Sequence, residues 1–184
     1  MARPLRIAPP GGVLHLTARG NRRQEIFFDD RDRRRFLSML GVAVSRHGWR
    51  CHAYCLMPNH FHLMIETPTG DISAGMQTLN GGYAQWFNRR HRFDGHLFQS
   101  RFHSVLLEST WHLLEVSRYI VLNPVRARLC GDPAEWGWSS YRALMALVPS
   151  PEFLTVDWLL QQFGADPGSA RIAFRRFVGE ALSA

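Results

Sequence analysis

Apolar and polar positions alternate along Gly12-Val13-Leu14-His15-Leu16-Thr17, which predicts a first strand with one wet and one dry face. It ends at Arg19-Gly20-Asn21-Arg22-Arg23, where glycine and asparagine permit a turn. Asp29 and Asp30 are helix-start signals. The spacing of Phe36, Leu37, Leu40 and Val44 then predicts one apolar face over Arg33 to His47, with arginines opposite and Gly48 as the stop. Trp49 to Met57 reads as a second strand that turns at Pro58-Asn59 into a third, His60 to Glu66, so the two form a hairpin. A second helix runs from about Ile72 to Arg90, interrupted by Gly81-Gly82. Ser104 to Glu108 is the fourth strand. The order β-α-β-β-α-β predicts an α+β, ferredoxin-like fold, one antiparallel sheet with two helices on one face.

Ser109 or Thr110 can cap a further helix, which Pro124 stops at about Asn123. Leu113, Val116 and Ile120 form its packing side. Tyr119 and Asn123 are four apart and share a face, and His112 and Glu115 extend that polar stripe upstream. Trp136 and Trp138 read as packing anchors in preference to base stackers. After Pro149-Ser150-Pro151 the composition changes: Phe153, Leu154, Val156, Trp158, Leu159, Leu160 and Phe163 predict one amphipathic helix. Asp166-Pro167 starts another, with Arg171, Arg175 and Arg176 opposed to Ile172, Phe174 and Phe177. These patterns divide the chain into an arm over 1–12, a folded domain over 13–148 and a helical C-terminal extension over 149–184.

The 184 residues suffice for a sizeable core, and no apolar run approaches the roughly 20 residues a membrane span requires. The N-terminus is basic without an apolar signal core, which predicts a short flexible arm on a cytoplasmic protein. Net charge is +7, and all 22 basic residues are arginine. A GC-rich genome accounts for the missing lysine but not for the surplus of positive charge, which suits phosphate partners. Three cysteines do not make a secreted disulfide framework and point to a reducing compartment. On one strand Cys51 and Cys55 fall on the same face about 13 Å apart at ~3.3 Å per residue, too far to share a zinc ion.

Two stretches carry candidate chemistry. Met57-Pro58-Asn59-His60-Phe61-His62-Leu63-Met64-Ile65-Glu66 places two imidazoles on one strand face, with Phe61, Leu63 and Ile65 turned to the core on the other. His60 and His62 are therefore a pair of potential metal ligands; two polar residues on a wet face would leave the same pattern. From Tyr83 to Phe102, arginine, histidine and aromatics interleave, which provides phosphate charge and base-stacking platforms or, more simply, a solvated basic loop.

In combination these residues resemble a known family. Met57-Pro58-Asn59-His60-Phe61-His62 resembles the His-hydrophobe-His (HUH) motif of IS200-like single-tyrosine transposases. Arg118-Tyr119-Ile120-Val121-Leu122-Asn123-Pro124-Val125-Arg126-Ala127 is similar to the nucleophile helix of their REP-associated branch, and Arg19-Gly20-Asn21-Arg22-Arg23-Gln24 with Ile26-Phe27 to the block after that branch's first strand. The matches span about residues 13 to 142 in the family's order.

The resemblance implies that Tyr119 is the nucleophile and that His60, His62 and Asn123 hold Mg²⁺ or Mn²⁺. Asn123 stands where insertion-sequence members carry the longer glutamine. It also implies cleavage of single-stranded or hairpin DNA through a 5′-phosphotyrosine, followed by strand transfer. Candidate DNA contacts are Arg19, Asn21 and Arg22 in the first block, Arg89, Arg90 and Arg101 in the arginine-aromatic stretch, and Arg126 beyond the nucleophile. Glu115 and His112 are general-base candidates by position. The protein is expected as a monomer or homodimer without a membrane partner. The rival readings are a domesticated hairpin-binding protein that does not cut, and a two-tyrosine relaxase, which the lack of a second tyrosine within a turn of Tyr119 disfavours.

Overall fold

The computed structural model describes residues 8–182. Strands β1 (Gly12–Arg19), β2 (Arg50–Met57), β3 (His60–Thr67) and β4 (His103–Leu106) form one antiparallel sheet in the order β2-β3-β1-β4. Helices α1 (Asp30–His47) and α2 (Ser73–His91) connect β1 to β2 and β3 to β4, which is the expected ferredoxin-like arrangement. Helix α1 begins where the Asp29 carboxylate accepts the Asp32 N–H at 3.0 Å and ends at Gly48 in the left-handed region.

Strand alternation sends Leu14, Leu16, Ala18, Phe61, Leu63 and Ile65 to the face covered by α1 and α2, where they pack with Phe27, Phe36, Leu40, Leu79, Tyr83 and Phe87. Helix α2 is not interrupted at Gly81-Gly82. A Cβ at Gly82 would lie 3.4 Å from the Met39 methyl and one at Gly81 would meet nothing, so the helix carries the helical cost of both glycines and is held by the packing of its buried residues Met76, Leu79, Tyr83 and Phe87. The predicted arm also needs correcting. Residues 1–7 lie outside the described residues, but Ala8 is buried and donates its N–H to Gly70 O at 3.2 Å, and Gly12 already belongs to β1.

The opposite face has its own cover. Helix α3 (Thr110–Arg126) lies against it, followed by α4 (Tyr141–Leu144), α5 (Val156–Leu160) and α6 (Pro167–Glu180). Ile120, Val121, Leu122, Tyr141, Leu144, Leu159, Leu160, Phe174 and Val178 form a second buried cluster with Ala53, Cys55, Met57 and Met64. Pro124 does not stop α3. It is buried inside the helix, and the turn beyond it closes through Ala127 N–H to Asn123 O and Leu129 N–H to Pro124 O, both 2.9 Å. Burial of the whole Ile120–Pro124 run outweighs the local preference against helix before proline.

Two further expectations change. A register shift between Cys51 and Ala53 bulges β2 at His52, so Cys51 joins the first cluster and Cys55 the second; the two thiols lie on opposite faces rather than one. The helix expected over residues 153–163 is only α5 plus a 3₁₀ turn, Gln161–Phe163. Thr155 donates its N–H to Cys51 O at 2.7 Å, which holds the preceding segment extended along β2. With Leu56 N–H to Trp138 O and Ser140 N–H to Tyr54 O, both 2.9 Å, this covers the open edge of the sheet. Trp136 anchors the same segment by donating its indole N–H to Leu56 O at 3.1 Å. Among the described residues no helix is long and apolar enough to cross a membrane.

Candidate active site

The parity that buries Phe61 sends His60 and His62 to the other face, opposite Arg19 and Thr17 of β1 respectively. His15 and Thr17 share that face, and β4 places His103 beside Thr17. Tyr119 of α3 closes the group. Its ring meets His62 edge-on at 5.4 Å and His15 at 6.1 Å, while the His60 and His62 rings lie 4.9 Å apart. A cavity of about 480 Å³ is lined by His15, His60, His62 and Tyr119 together with Gln99, Ser100, Arg101 and His103.

The imidazoles are held neutral. Burial pulls His60 down to about 4, helped by the Arg19 charge, and pulls His15 down to about 4, helped by His103 and His112. His62 is 5% exposed, and burial with three neighbouring positive or ionisable groups depresses it well below the usual histidine range. His62 Nδ1 lies 2.9 Å from His15 Nε2, and His60 Nδ1 lies 2.7 Å from Asn59 Oδ1. His62 Nε2 is buried with no hydrogen-bond partner.

The turn that carries this pair is braced by the block after β1. Gly20 donates its N–H to Asn59 O at 2.8 Å, Ile26 donates to Pro58 O at 2.9 Å, and Asn21 donates to Leu97 O at 2.8 Å. A Cβ at Gly20 would fall 2.1 Å from Gln24 O, so only glycine fits there. Arg22 and Arg23 both adopt left-handed backbone, which keeps the loop tight.

Other predicted residues are placed differently. Asn123 is buried, donates its amide to Tyr119 O at 2.8 Å and is not among the residues that line the cavity. Among the described residues no cluster of three His, Cys, Asp or Glu side chains could hold a metal ion. Glu115 is gripped by both oxygens through Arg118 Nη2 at 2.6 and 2.7 Å, which removes it as a free base. His112 sits in the first turn of α3, half-buried.

Among the arginines, Arg90 is half-buried and bound by Asp29 and by the buried Asp32, tying α2 to the start of α1. Arg19, Asn21, Arg22, Arg89 and Arg101 are exposed, and Arg19 and Arg101 border the cavity. Arg126 lies with its guanidinium carbon 5.4 Å from the Tyr119 ring centre. The stacking platforms are reduced: Tyr83, Phe87 and Phe102 are buried, and Tyr83 donates its hydroxyl to Ile26 O at 2.6 Å. Phe93 is exposed. Sequence reasoning missed His15, although its parity on the alternating first strand was the available signal.

The fold and site define an α+β protein with a histidine pair on a central strand facing a tyrosine on a covering helix. The family model for IS200-like transposases matches residues 11–123, and the chain belongs to that family. Among solved structures, the REP-associated tyrosine transposase bound to a REP hairpin is 19% identical with TM-score 0.66, over 86% of this chain and 91% of that one, a likeness of fold. A Deinococcus radiodurans R1 protein provisionally named a transposase matches with TM-score 0.45 at 18% identity, over 65% of this chain and 95% of that one. The Saccharomyces cerevisiae tRNA(His) guanylyltransferase matches with TM-score 0.49 at 8% identity, over 96% of this chain and 82% of that one. No curated protein sequence matches the chain.

Proposed function

We propose that the protein is a metal-dependent endonuclease and strand transferase for single-stranded or hairpin DNA, working through a 5′-phosphotyrosine on Tyr119. The observation that carries this is the convergence of His60, His62 and an exposed Tyr119 on one cavity, although the tyrosine comes from a helix far along the chain. His60 and His62 would hold Mg²⁺ or Mn²⁺. Two neutral imidazoles, one with an unpartnered nitrogen, fit such an ion with DNA phosphate and water oxygens completing its shell. When bound, the ion supplies Lewis acidity toward the scissile phosphate.

The chain's own part is positioning and attack. The Tyr119 oxygen forms a bond to phosphorus as the bond to the 3′-oxygen breaks; the tyrosine gives up its proton, the 3′-oxygen takes one to leave as a hydroxyl, and the 5′ side stays on the tyrosine. The phosphodiester-like bond is kept, so another 3′-hydroxyl can displace Tyr119 and rejoin strands without a nucleotide cofactor. Arg126 beside the tyrosine and Arg19 and Arg101 at the cavity rim supply charge for the phosphates. The DNA-bound state of the REP-associated relative supports a hairpin as the ligand.

A protein that binds hairpins without cutting is the second reading. It is favoured by the absence of Asn123, whose amide nitrogen bonds the Tyr119 carbonyl, from the residues lining the cavity. The test is incubation with hairpin and single-stranded oligonucleotides and Mg²⁺ or Mn²⁺. A covalent DNA adduct mapped to Tyr119, and absent in Tyr119→Phe, is expected. Hairpin binding that never yields an adduct would establish the second reading.

A further inference from the structure

We infer that two dedicated acceptors, Asn59 for His60 and His15 for His62, hold the histidine pair in the tautomer that leaves each Nε2 with a free lone pair. This rests on the reading of His60 and His62 as metal ligands. A neutral imidazole carries one N–H and one lone pair, so the partner of one nitrogen decides what the other can bind.

For His60 the assignment follows from a relay. Asn59 donates its amide Nδ2 to Arg23 O at 3.0 Å, and a carbonyl can only accept, so the orientation of that amide is set. Its Oδ1 therefore faces His60 Nδ1 at 2.7 Å. An amide oxygen only accepts, so Nδ1 carries the hydrogen and Nε2 the lone pair. The relay begins in the loop after β1, where Arg23 has φ 61° and donates its N–H to Gly20 O at 3.0 Å.

For His62 the partner is another imidazole, and two arrangements satisfy the 2.9 Å contact between its Nδ1 and His15 Nε2. If His15 donated, His62 Nε2 would carry a hydrogen inside the protein with no acceptor, and it could not ligate. If His62 donates, Nε2 presents a lone pair, and the buried orphan atom is one a cation completes. His15 is fixed for this task by β1, opposite Met64 in β3 and Val105 in β4, with its ring centre 5.2 Å from that of His62 and the two planes 19° apart, as an in-plane ring-to-ring hydrogen bond requires. His15 and Asn59 are thus positioning residues, and both depend on β1 or the loop that follows it.

The experiment uses the full chain with ¹⁵N-labelled histidine and Mn²⁺ as the probe. Without metal, the ring-nitrogen shifts of His60 and His62 should show Nδ1 protonated and Nε2 pyridine-like. Mn²⁺ affinity, followed by electron paramagnetic resonance, should fall about tenfold or more in His15→Phe and in Asn59→Ala. It should recover largely in His15→Gln, whose amide oxygen can still accept from His62 Nδ1. A protonated Nε2 on His62 in the unaltered protein overturns the inference, as does His15→Gln binding no better than His15→Phe. Pyridine-like Nε2 atoms in a protein that binds no Mn²⁺ would uphold the tautomer assignment and refute the metal reading instead.

Discussion

The two faces of the sheet are made from the same strands, yet they behave as different materials. Under α1 and α2 the face is sealed by rings: Phe36 packs on Phe61 at 4.7 Å and on Tyr83 at 5.2 Å, all fully buried. The opposite face is sealed over β2, Met64 of β3 and Val13 of β1, which α3 and the helices behind it cover. At the His60 end of β3 and across β1 and β4 the cover ends, and His15, Thr17, His60, His62 and His103 line an open cavity. The contrast teaches that chemistry here occupies the margin of a core-forming surface, where α3 brings Tyr119 to the strands without sealing them. The sealed face can hold the strands rigid while the open one presents ligands on them.

The largest effect should come from removing the cover of the second face. Ending the chain at residue 149 deletes Leu159, Leu160, Phe174 and Val178 and uncovers Ile120, Val121 and Leu122 behind the nucleophile. Cooperative unfolding should be lost in urea, and a truncated chain that melts cooperatively would show that the extension is only an accessory. Next in size, Phe61→Ala leaves a cavity on the sealed face and should cost about 3–5 kcal/mol in chemical denaturation. Mn²⁺ binding should weaken with it, because His60 and His62 flank the emptied position. Intact Mn²⁺ affinity would mean the two faces are mechanically independent.

A smaller effect separates two adjacent arginines. Arg90→Ala removes the guanidinium that pairs with the buried Asp32, leaving it only His91 and the Phe28 N–H, and should lower the melting temperature while leaving the salt dependence of DNA binding unchanged. Arg89→Ala, on the exposed side, should do the reverse, flattening the salt slope by about one phosphate contact with little change in melting.

The smallest effect concerns pH. His15 and His60 titrate at about 4 in the fold, against roughly 6.5 in an unfolded chain. Between those values the unfolded chain binds more protons, so stability is fully present above about pH 6.5 and is lost as pH falls toward 4. Urea midpoints should decline across that window, and less steeply in His15→Gln. Mn²⁺ affinity should hold to about pH 5, well below the point at which ordinary histidines protonate; a loss centred near 6.5 would contradict the depressed values.

Much of this was legible in the chain. The period of two that puts His60 and His62 on one face is a property of adjacent residues, as are the Asp29 cap and the Gly48 stop of α1. The order of elements likewise implied the ferredoxin-like sheet, because short connections leave few other ways to bury those faces. What the sequence could not determine depends on pairing between distant segments. A one-residue bulge at His52 reverses the parity of Cys51 and Cys55. Burial of Ile120–Pro124 carries α3 through a proline that local geometry argued against. Arg90 looked like a phosphate contact until α1 brought Asp29 and Asp32 to it. His15 gained a role only when sheet register brought its Nε2 to His62 Nδ1. Local propensity and periodicity are functions of neighbours along the chain, whereas a side chain's partner is chosen by the register and packing that the whole fold imposes.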